Sequence, residues 1–464
     1  MRFQDELMVD VTHVCHTAWG ITNKEIQKYM KQIQQATDTL KRIRQEGVGP
    51  DGSAVLFTHL PYILQEETLI STEEQERLEQ LTMLAKEQDA VISIGIGGSY
   101  LGNQALFDLF CGPYWNQLTK EERNGYPRIY FAGQNLDSVS LHQLVKEIHR
   151  QGLKVWWKQK VLLVVISKSG TTLEPIMAAR ALRKQLEPCC EVTILTVTDK
   201  EKGKLRPMAE ENHWPCFTVP DGIGGRFSVF SPVGLVFAKL AGISIQDFLA
   251  GAQMAEEACH SEDFHDNPAL YLALLKYIAK KDHGIDAEII MPYGDRLRSL
   301  GWWYAQLLGE SLGKKCDIEG NEIHYGRIPV TAIGTTDMHS LTQEHQEGKK
   351  NKLVQFIIVQ EPAEDVSVLC DEKETSGMAP MSYMLRTAKH ANEEALAQDG
   401  RMSATISIRK VTPFHIGALM YFFFLTVAYE GAMAGVNSFD QPGVEKYKKI
   451  LHNDLYDYIL KHKK

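Results

Sequence analysis

The cysteines of this chain form none of the patterns that hold a metal ion or a disulfide framework. Eight cysteines are spread over 464 residues, and no Cys-x-x-Cys pair is present. The adjacent Cys189 and Cys190 have no partners at the spacing that zinc ligands need. No His-Glu-x-x-His motif occurs either. We therefore expect reduced, structural thiols, as in a cytoplasmic protein, and neither a metal ion nor another cofactor.

The chain also lacks an excess of positive charge. Its formal net charge is −9 and its pI is about 6.0. This balance argues against nucleic acid as the main partner, because nucleic-acid-binding proteins present basic surfaces. An anionic substrate would have to be held by local positive groups and helix ends. The N-terminus has no basic stretch followed by an apolar one, so we expect no secretory signal and a cytoplasmic location.

Only one long apolar run is present, within Ile416–Gly435. It continues for 14 residues before Glu430. That length falls short of the roughly 20 residues that a membrane-spanning helix needs. Because no basic cluster flanks the run, we expect a buried core helix and no membrane partner.

Two sets of strand-like runs dominate the remaining pattern. The first set is Ala90–Ile96, Arg128–Ala132, Val161–Ile166 and Val192–Val197; the second is Glu288–Met291, Val330–Ile333, Leu353–Val359 and Ser403–Ile408. Helical stretches separate most of them, and the runs show little polar alternation. This is typical of parallel strands covered on both faces. The sequence predicts two consecutive α/β sheets, with a boundary around residues 240–260.

Helical patterns flank these sheets. Polar, amphipathic stretches at Lys24–Gln45 and Glu74–Lys86 predict helices over the surface. The polar stretch Asp371–Gly400 predicts a helix and a loop, also on the surface. Val444–Lys463 is amphipathic and basic, which predicts a closing C-terminal helix.

The segment Val164–Pro175, VVISKSGTTLEP, is the most informative part of the chain. A buried strand ends there in a loop that carries hydroxyls, one lysine and a glycine, and a helix begins at once. Unpaired backbone N–H groups and the positive end of the helix dipole make such a place an anion site. The segment therefore predicts phosphate binding. The alternative is an ordinary capping turn, since Ser and Thr cap many helices.

Other loops carry candidate groups whose signals are weak one by one. Gly97-Gly98-Ser99 lets backbone approach an anion, but it lacks the pattern of a nucleotide-binding loop, so nucleotide binding is disfavoured. Arg226 follows two glycines and suits a developing oxyanion. Glu310 has apolar sequence neighbours that favour a general base. Taken singly, Arg226 could equally be a surface residue of a turn, and a lone glutamate is far more often a solvated surface group.

The co-occurrence of six segments makes the pattern specific. In order, these are IGIGGSYLG, SKSGTTLEP, GGRFSVFSPVGL, GESLGK, TTDMHS and FDQPGVEKYK. With them, the chain closely resembles the glucose-6-phosphate isomerase (phosphoglucose isomerase) family in its shorter bacterial form. The resemblance implies an α/β fold of two tandem sugar isomerase (SIS) domains, each a flavodoxin-like αβα sandwich with a mainly parallel sheet. The expected divisions are an N-terminal helical extension (1–75), a phosphate-binding domain (76–243), a domain with the acid/base residues (244–440) and a C-terminal helical segment (441–464).

The resemblance also implies roles for individual residues. Glu310 corresponds to the base that moves a proton between C2 and C1, and Arg226 to the arginine that faces the enediolate. His339 and Lys448 correspond to the residues that open the sugar ring. The implied substrate-binding residues are Gly98, Ser99, Ser167, Lys168, Ser169, Thr172, Glu174, Gly225, Gln306 and Gln441. Among them, Glu174 corresponds to a carboxylate that orients the histidine.

The implied activity is the reversible isomerisation of glucose 6-phosphate to fructose 6-phosphate without a cofactor. The family places its sites at a homodimer interface, with the histidine supplied by the neighbouring subunit. Two alternatives stay open at this point. One is an isomerase that also accepts mannose 6-phosphate, and the other is a non-catalytic sugar-phosphate sensor built on the same domains. A sensor would be expected to lose the acid/base residues, and here Glu310, His339 and Lys448 are all present.

Overall fold

The computed structural model describes residues 2–3, 6–153, 158–372 and 375–462. In the first half the strands are β1 (Arg2–Phe3), β2 (Leu7–Asp10), β3 (Ala90–Ile94), β4 (Arg128–Ala132), β5 (Gln159–Ile166), β6 (Cys190–Thr198) and β7 (Cys216–Thr218). The helices there are α1 (Asn23–Lys28), α2 (Met30–Glu46), α3 (Thr72–Glu87), α4 (Leu101–Phe110), α5 (Ser138–Gly152), α6 (Leu173–Leu186), α7 (Leu205–Glu211) and α8 (Pro232–Leu240).

The first sheet contains five parallel strands in the order β4-β3-β5-β6-β7. All five residues of β3 are buried, as expected for a parallel strand with helices on both faces. The first of these strands in the chain lies between the second and the third, so the connections reverse direction at β3 and β5. Such a reversal opens a crevice at the carboxyl ends of the strands, where ligands bind in open α/β sheets. The first predicted set of strands is confirmed.

The second half has its own series of elements. Its strands are β8 (Ala287–Pro292), β9 (Lys314–Cys316), β10 (Glu322–Tyr325), β11 (Ile328–Thr331), β12 (Lys352–Val359), β13 (Ser367–Glu372), β14 (Thr375–Pro380) and β15 (Ser403–Ile408). Its helices are α9 (Ile245–Ala258), α10 (Pro268–Asp282), α11 (Arg298–Leu312), α12 (Thr342–Glu347), α13 (Met381–Gln398), α14 (Pro413–Met433) and α15 (Glu445–Lys461). Short 3₁₀ turns include Gly97–Ser99, Gly225–Phe230, Thr336–His339 and Pro442–Val444.

The second sheet has the order β1-β2-β15-β12-β8-β11. Strands β15, β12, β8 and β11 are parallel, and they are the four that the sequence predicts for this half. Strand β2 joins the edge in antiparallel orientation, with Asp10 opposite Thr405. The first 75 residues, expected to be a helical extension, therefore also supply an edge strand to the second sheet. Strand β2 has four residues, which is too few to give a clear sequence pattern.

Helix α14 is the centre of the shared core. It packs against α2, α9, α10 and α11, and the whole apolar window of the helix is buried. One continuous apolar cluster contains Leu162 of the first sheet, Phe424 of α14 and Ile406 of the second sheet. Among the described residues this is the one helix long and apolar enough to cross a membrane. The prediction of a buried core helix is confirmed.

Two peripheral segments differ from expectation. The stretch predicted as helix and loop begins with an antiparallel hairpin, β13 and β14, before α13 starts. Its strands were missed because they carry few apolar residues in regular alternation. The C-terminal helix α15 forms as predicted, but none of its residues is buried, and Tyr447 and Ile450 are exposed. It does not close over the core of its own chain.

Candidate active site

A cleft of about 560 Å³ lies at the carboxyl ends of β3 and β5, where the first sheet reverses direction. Loops from the first half form one side, and α11 and the start of α15 form the other. All ten predicted substrate-binding residues line it: Gly98, Ser99, Ser167, Lys168, Ser169, Thr172, Glu174, Gly225, Gln306 and Gln441. Segments far apart in sequence therefore meet in one place.

The loop between β5 and α6 presents a group of hydroxyls to this cleft. Ser169 Oγ lies 3.1 Å from Thr172 Oγ1 and accepts a hydrogen bond from the backbone N–H of Thr171 at 3.3 Å. Thr172 precedes α6 but gives it no side-chain cap. The buried Ser167 Oγ has no hydrogen-bond partner in the described part of the chain. Open donors at a helix N-terminus suit an anion.

Lys168 ties this loop to the segment that follows β7. Its Nζ donates to the carbonyl oxygen of Ile223 at 2.8 Å. Burial lowers the pKa of Lys168, while Asp221 and Asp199 act in the opposite direction. The lysine is thus held at the cleft wall as a fixed positive charge beside the hydroxyls.

Two glycine-rich turns touch at the floor of the cleft. A Cβ atom on Gly98 would lie 1.9 Å from the carbonyl oxygen of Gly225, which no side chain could tolerate. Gly97 has φ of +56°, in the left-handed region that favours glycine. The glycines let the turn after β3 lie directly against the turn that carries Arg226. This contact brings Ser99 and Arg226 toward one ligand position.

Arg226 is almost completely buried and fully hydrogen-bonded. Its Nε donates to Ser311 Oγ at 2.7 Å, and its Nη1 donates to Gln441 Oε1 at 3.1 Å and to Glu310 Oε2 at 3.4 Å. Its Nη2 donates to the backbone carbonyls of Ser438 and Asp440. Burial lowers the pKa of Arg226, and the Glu310 carboxylate opposes that effect. The guanidinium is fixed in place before any ligand arrives.

Glu310 and Gln306 lie four residues apart on α11, on one face of the helix. Gln306 Nε2 donates to Glu310 Oε1 at 3.0 Å, and Arg226 occupies the other carboxylate oxygen. The Glu310 side chain is 29% exposed, and it lines the cleft. The carboxylate is therefore oriented by two neighbours and still accessible to a ligand, as a general base must be.

Lys448 reaches the cleft from the first turn of α15. Its Nζ lies 2.9 Å from Glu445 Oε1, and its side chain is half exposed. Tyr447 and Val444 line the cleft beside it. The predicted lysine thus lies at the cleft mouth, where it can move toward a ligand.

His339 does not line the cleft of its own chain, whereas the buried Arg226 contacts the cleft residues Glu310 and Gln441 from behind. His339 ends the 3₁₀ turn after β11 and is exposed. Asp337 shapes that turn by accepting hydrogen bonds from the backbone N–H of Ile333 at 2.7 Å and from Ser340 Oγ at 2.7 Å. Glu174, expected to orient the histidine, does line the cleft. The two residues are therefore separate within one chain.

Three supporting residues received no role in the sequence analysis. Ser311 accepts from Arg226, and Lys314 Nζ donates to the Asp440 carboxylate at 2.7 Å and to its carbonyl oxygen at 2.6 Å. These contacts hold the turn that carries Gln441. All three residues lie inside the segments GESLGK and FDQPGVEKYK, so the signal was present. Their partners become visible only in three dimensions.

No group of three or more His, Cys, Asp or Glu side chains suited to a metal ion occurs in residues 2–3, 6–153, 158–372 and 375–462. The eight cysteines are unpaired, and Cys189 Sγ lies 3.7 Å from Cys190 Sγ. The functional groups of the cleft are thus hydroxyls, amides, carboxylates and cations.

Comparison with known proteins agrees with this arrangement. The family model described as phosphoglucose isomerase matches residues 79–458. The chain belongs to the phosphoglucose isomerase family. A family member from Carboxydothermus hydrogenoformans, named glucose-6-phosphate isomerase, is 33% identical over 459 residues, which cover 96% of this chain and 94% of the relative. One from Fusobacterium nucleatum is 37% identical over 373 residues and covers 78% of this chain and 79% of the relative.

Two solved structures superpose on almost the whole chain. A hypothetical protein from Thermus thermophilus has a TM-score of 0.78 at 26% identity and covers 97% of this chain and 99% of its own. The glucose-6-phosphate isomerase of Chlamydia trachomatis has a TM-score of 0.79 at 23% identity, with 98% and 89% covered. The second similarity concerns the fold alone. Together they agree with the predicted α/β architecture of tandem domains.

Proposed function

We propose that this protein interconverts D-glucose 6-phosphate and D-fructose 6-phosphate. The observation that carries the proposal is the position of Glu310. Its carboxylate lies in the same cleft as the hydroxyl loop Ser167–Thr172, with the buried Arg226 guanidinium against it. An anion anchor, a positioned base and a fixed cation are the three groups that an aldose–ketose isomerisation of a sugar phosphate requires.

In the proposed complex the phosphate lies on the loop before α6. Ser169, Thr172 and the open backbone N–H groups of the first turn donate to its oxygens, and Lys168 supplies positive charge. Ser167 Oγ, which is buried without a partner in the described part of the chain, gains one there. Anchoring the phosphate fixes the far end of the sugar, so that C1 and C2 lie near Glu310.

The chemical steps then follow from the remaining groups. His339 and Lys448 open the ring by moving a proton between O1 and the ring oxygen. Glu310 takes the proton from C2 and returns it to C1, and the electron pair passes through a cis-enediolate. Arg226 offsets the negative charge of that intermediate, because a guanidinium stays charged even when buried. Gln306 and Gln441 position the sugar hydroxyls.

The site is proposed to be completed in a homodimer. His339 is exposed and lies outside the cleft of its own chain, while Glu174 lines that cleft. Within one chain, the proposed pair of Glu174 and His339 is therefore not formed. A two-fold dimer would bring His339 of the partner subunit to Glu174 of this chain. The same axis would bring His339 of this chain to the equivalent glutamate in the second site. We propose that this dimer acts in the cytoplasm, in glycolysis and gluconeogenesis.

The test is a coupled assay that follows glucose 6-phosphate formed from fructose 6-phosphate by the purified protein. Turnover of at least about 1 s⁻¹ is expected for an enzyme of ordinary rate. Mannose 6-phosphate is assayed in parallel, and turnover of it at a comparable rate would assign the broader specificity. Binding of fructose 6-phosphate without turnover would overturn the proposal and favour a sugar-phosphate sensor.

A further inference from the structure

A second cleft, of about 660 Å³, is separate from the candidate active site. It is bounded by strand β2, the end of β12, strand β15 and helix α13. It shares no lining residue with the cleft around Glu310. We call it the α13 cleft. Its volume is in the range typical of small-molecule sites.

The floor of the α13 cleft is one face of the second sheet. Met8 lies opposite Ser407 and Asp10 opposite Thr405, and Ile358 of β12 also lies opposite Ser407. Because alternate residues of a strand share a face, these five side chains point to the same side. Ser407 is only 8% exposed, and its hydroxyl makes no hydrogen bond within the part of the chain that the structure describes. The floor therefore offers an unused polar group.

One wall of the α13 cleft carries three basic side chains. Arg386, Lys389 and His390 lie on α13 at positions i, i+3 and i+4, which share one face of a helix. The opposite side contributes one carboxylate, Asp10. Asp10 Oδ1 accepts from the backbone N–H and the hydroxyl of Thr12. The lining thus has more positive than negative groups in a chain whose net charge is −9.

Arg386 is the cation that remains available for a ligand. Lys389 Nζ donates to Glu393 Oε2 at 2.6 Å, so its charge is neutralised locally. Arg386 Nη1 donates to the carbonyl oxygen of Gln360 at 3.0 Å, and no carboxylate of residues 6–153, 158–372 or 375–462 forms an ion pair with it. The nearby Asp365 carboxylate is hydrogen-bonded to the backbone N–H and hydroxyl of Ser382, and it attracts Arg386 only at longer range. Arg386 therefore keeps open donors.

We propose that the α13 cleft binds a small anionic metabolite, with its phosphate or carboxylate group on Arg386. The planar guanidinium matches both anions, because its parallel N–H groups can bond two oxygens at once. Ser407 donates a further hydrogen bond from the floor, and Asp10 Oδ2 accepts from a hydroxyl or amino group of the ligand. The apolar side chains of Met8 and Ile358 contact its carbon skeleton.

The experiment measures the rate at which the Arg386 side chain is chemically modified in the full chain. The protein is treated with phenylglyoxal, which modifies arginine, with and without inorganic phosphate or malonate, and labelled peptides are quantified by mass spectrometry. Modification of Arg386 should slow about five-fold when the anion is present at four times its Kd. Arg150, an exposed arginine paired with Glu147, is the control and should react at an unchanged rate. Stronger protection by phosphate or by malonate identifies which anionic group the cleft prefers.

A second measurement covers the case in which Arg386 reacts poorly. In the variant S169A/T172V, in which the hydroxyl loop is weakened, phosphate or malonate should still raise the Tm. Adding R386Q should abolish that rise, and S407A should reduce it. Equal protection of Arg386 and Arg150, or an unchanged rise in Tm with R386Q, would overturn the proposal. Neither result would bear on the candidate active site, because the two clefts share no residue.

Discussion

The carboxylate of Glu310 is oriented by two neighbours, one on each oxygen. Gln306 donates to Oε1 and Arg226 to Oε2, and Arg226 is itself held by Ser311 and Gln441. The position of the base is therefore set by a buried network and not by its own rotamer preference. Such preorganisation is expected to matter as much as charge, since the donors need not reorganise during the reaction.

Glu310→Gln should lower kcat by about 10³-fold, because loss of a general base commonly costs 10²- to 10⁴-fold. The amide keeps the shape of the side chain, so the Tm should stay close to that of the unaltered chain. Steady-state kinetics with fructose 6-phosphate and a thermal melt measure both quantities. Glu319→Gln, an exposed change on the turn between β9 and β10, is the control and should leave kcat unchanged. Near-normal turnover by Glu310→Gln would remove this residue from the role of base.

Arg226→Lys should lower kcat by roughly 10²- to 10³-fold with a smaller effect on KM, the size seen when one oxyanion donor is removed. Lysine keeps the charge but cannot reach Ser311, Gln441 and the carbonyls of Ser438 and Asp440 together. Kinetics on the variant, with Arg298→Lys as the exposed control, measure the effect. A change in KM alone would show that Arg226 binds the ground state of the substrate and does not stabilise the enediolate.

At the scale of helices and strands, the sequence predicts what is strongly apolar or rich in special residues. The inner strands of both sheets are continuous apolar runs, because parallel strands are buried on both faces. The sequence pattern predicted all of these inner strands. Strand β2 and the exposed hairpin β13–β14 were not predicted, because β2 has only four residues and the hairpin strands have few apolar residues in regular alternation. The long polar helix expected near Lys24–Gln45 is interrupted at Tyr29.

The candidate site likewise has features that the sequence predicts and features that only the structure shows. Residues with distinctive loops around them, such as Ser169 and Arg226, could be predicted from sequence. Contacts between distant segments could not, as in the bonds of Lys314 to Asp440, which are 126 residues apart. Composition and periodicity also give no sign that the His339 turn lies outside the Glu310 cleft of its own chain; only the family resemblance implies a histidine from the neighbouring subunit.

A buried ion network supports the helix that carries Glu310. Lys276 of α10 donates to Glu288 of β8 at 2.7 Å, and Tyr304 of α11 donates to the same carboxylate at 2.5 Å. Arg327 links Glu288 to Glu430 of α14. Burial raises the pKa of Glu288, but its ion pairs with Lys276 and Arg327 outweigh burial and hold the pKa at about 2. The charged network thus fixes α11 to both the second sheet and α14.

Glu288→Gln should destabilise the fold by about 3–5 kcal/mol, because it leaves buried cations without a partner. The free energy of unfolding is measured by denaturant titration, and Glu322→Gln at an exposed ion pair is the control. Because folding lowers the pKa of Glu288, its stabilising effect is complete above the unfolded value near 4.5 and is lost as pH falls toward 2. The variant should therefore lose less stability than the unaltered chain across that window. A parallel loss in both would assign acid sensitivity to other carboxylates.

For the whole molecule, one continuous apolar core joins the two halves, while two elements with proposed functional residues, the His339 turn and α15, lie at the surface. Helix α14 packs against helices of both halves, and Arg226 from the first half contacts Glu310 from the second directly. The His339 turn is exposed, and α15 leaves Tyr447, Ile450 and Leu460 uncovered. Exposed apolar groups beside an incomplete site favour completion by a second copy of the chain.

Mixing two inactive variants tests this assembly. Glu310→Gln and His339→Ala should each be nearly inactive as pure dimers. After subunit exchange, half of the dimers are mixed, and each mixed dimer has one site with Glu310 from one chain and His339 from the other. Activity should therefore recover to roughly a quarter of the unaltered level if sites are shared across a two-fold axis.

Mixing Glu310→Gln with Lys448→Ala is the control, because both residues line the cleft of the same chain. In this mixture every cleft carries one of the two changes, so no dimer has an intact site. This control should stay inactive, and equal recovery in both mixtures, or in neither, would contradict a shared site.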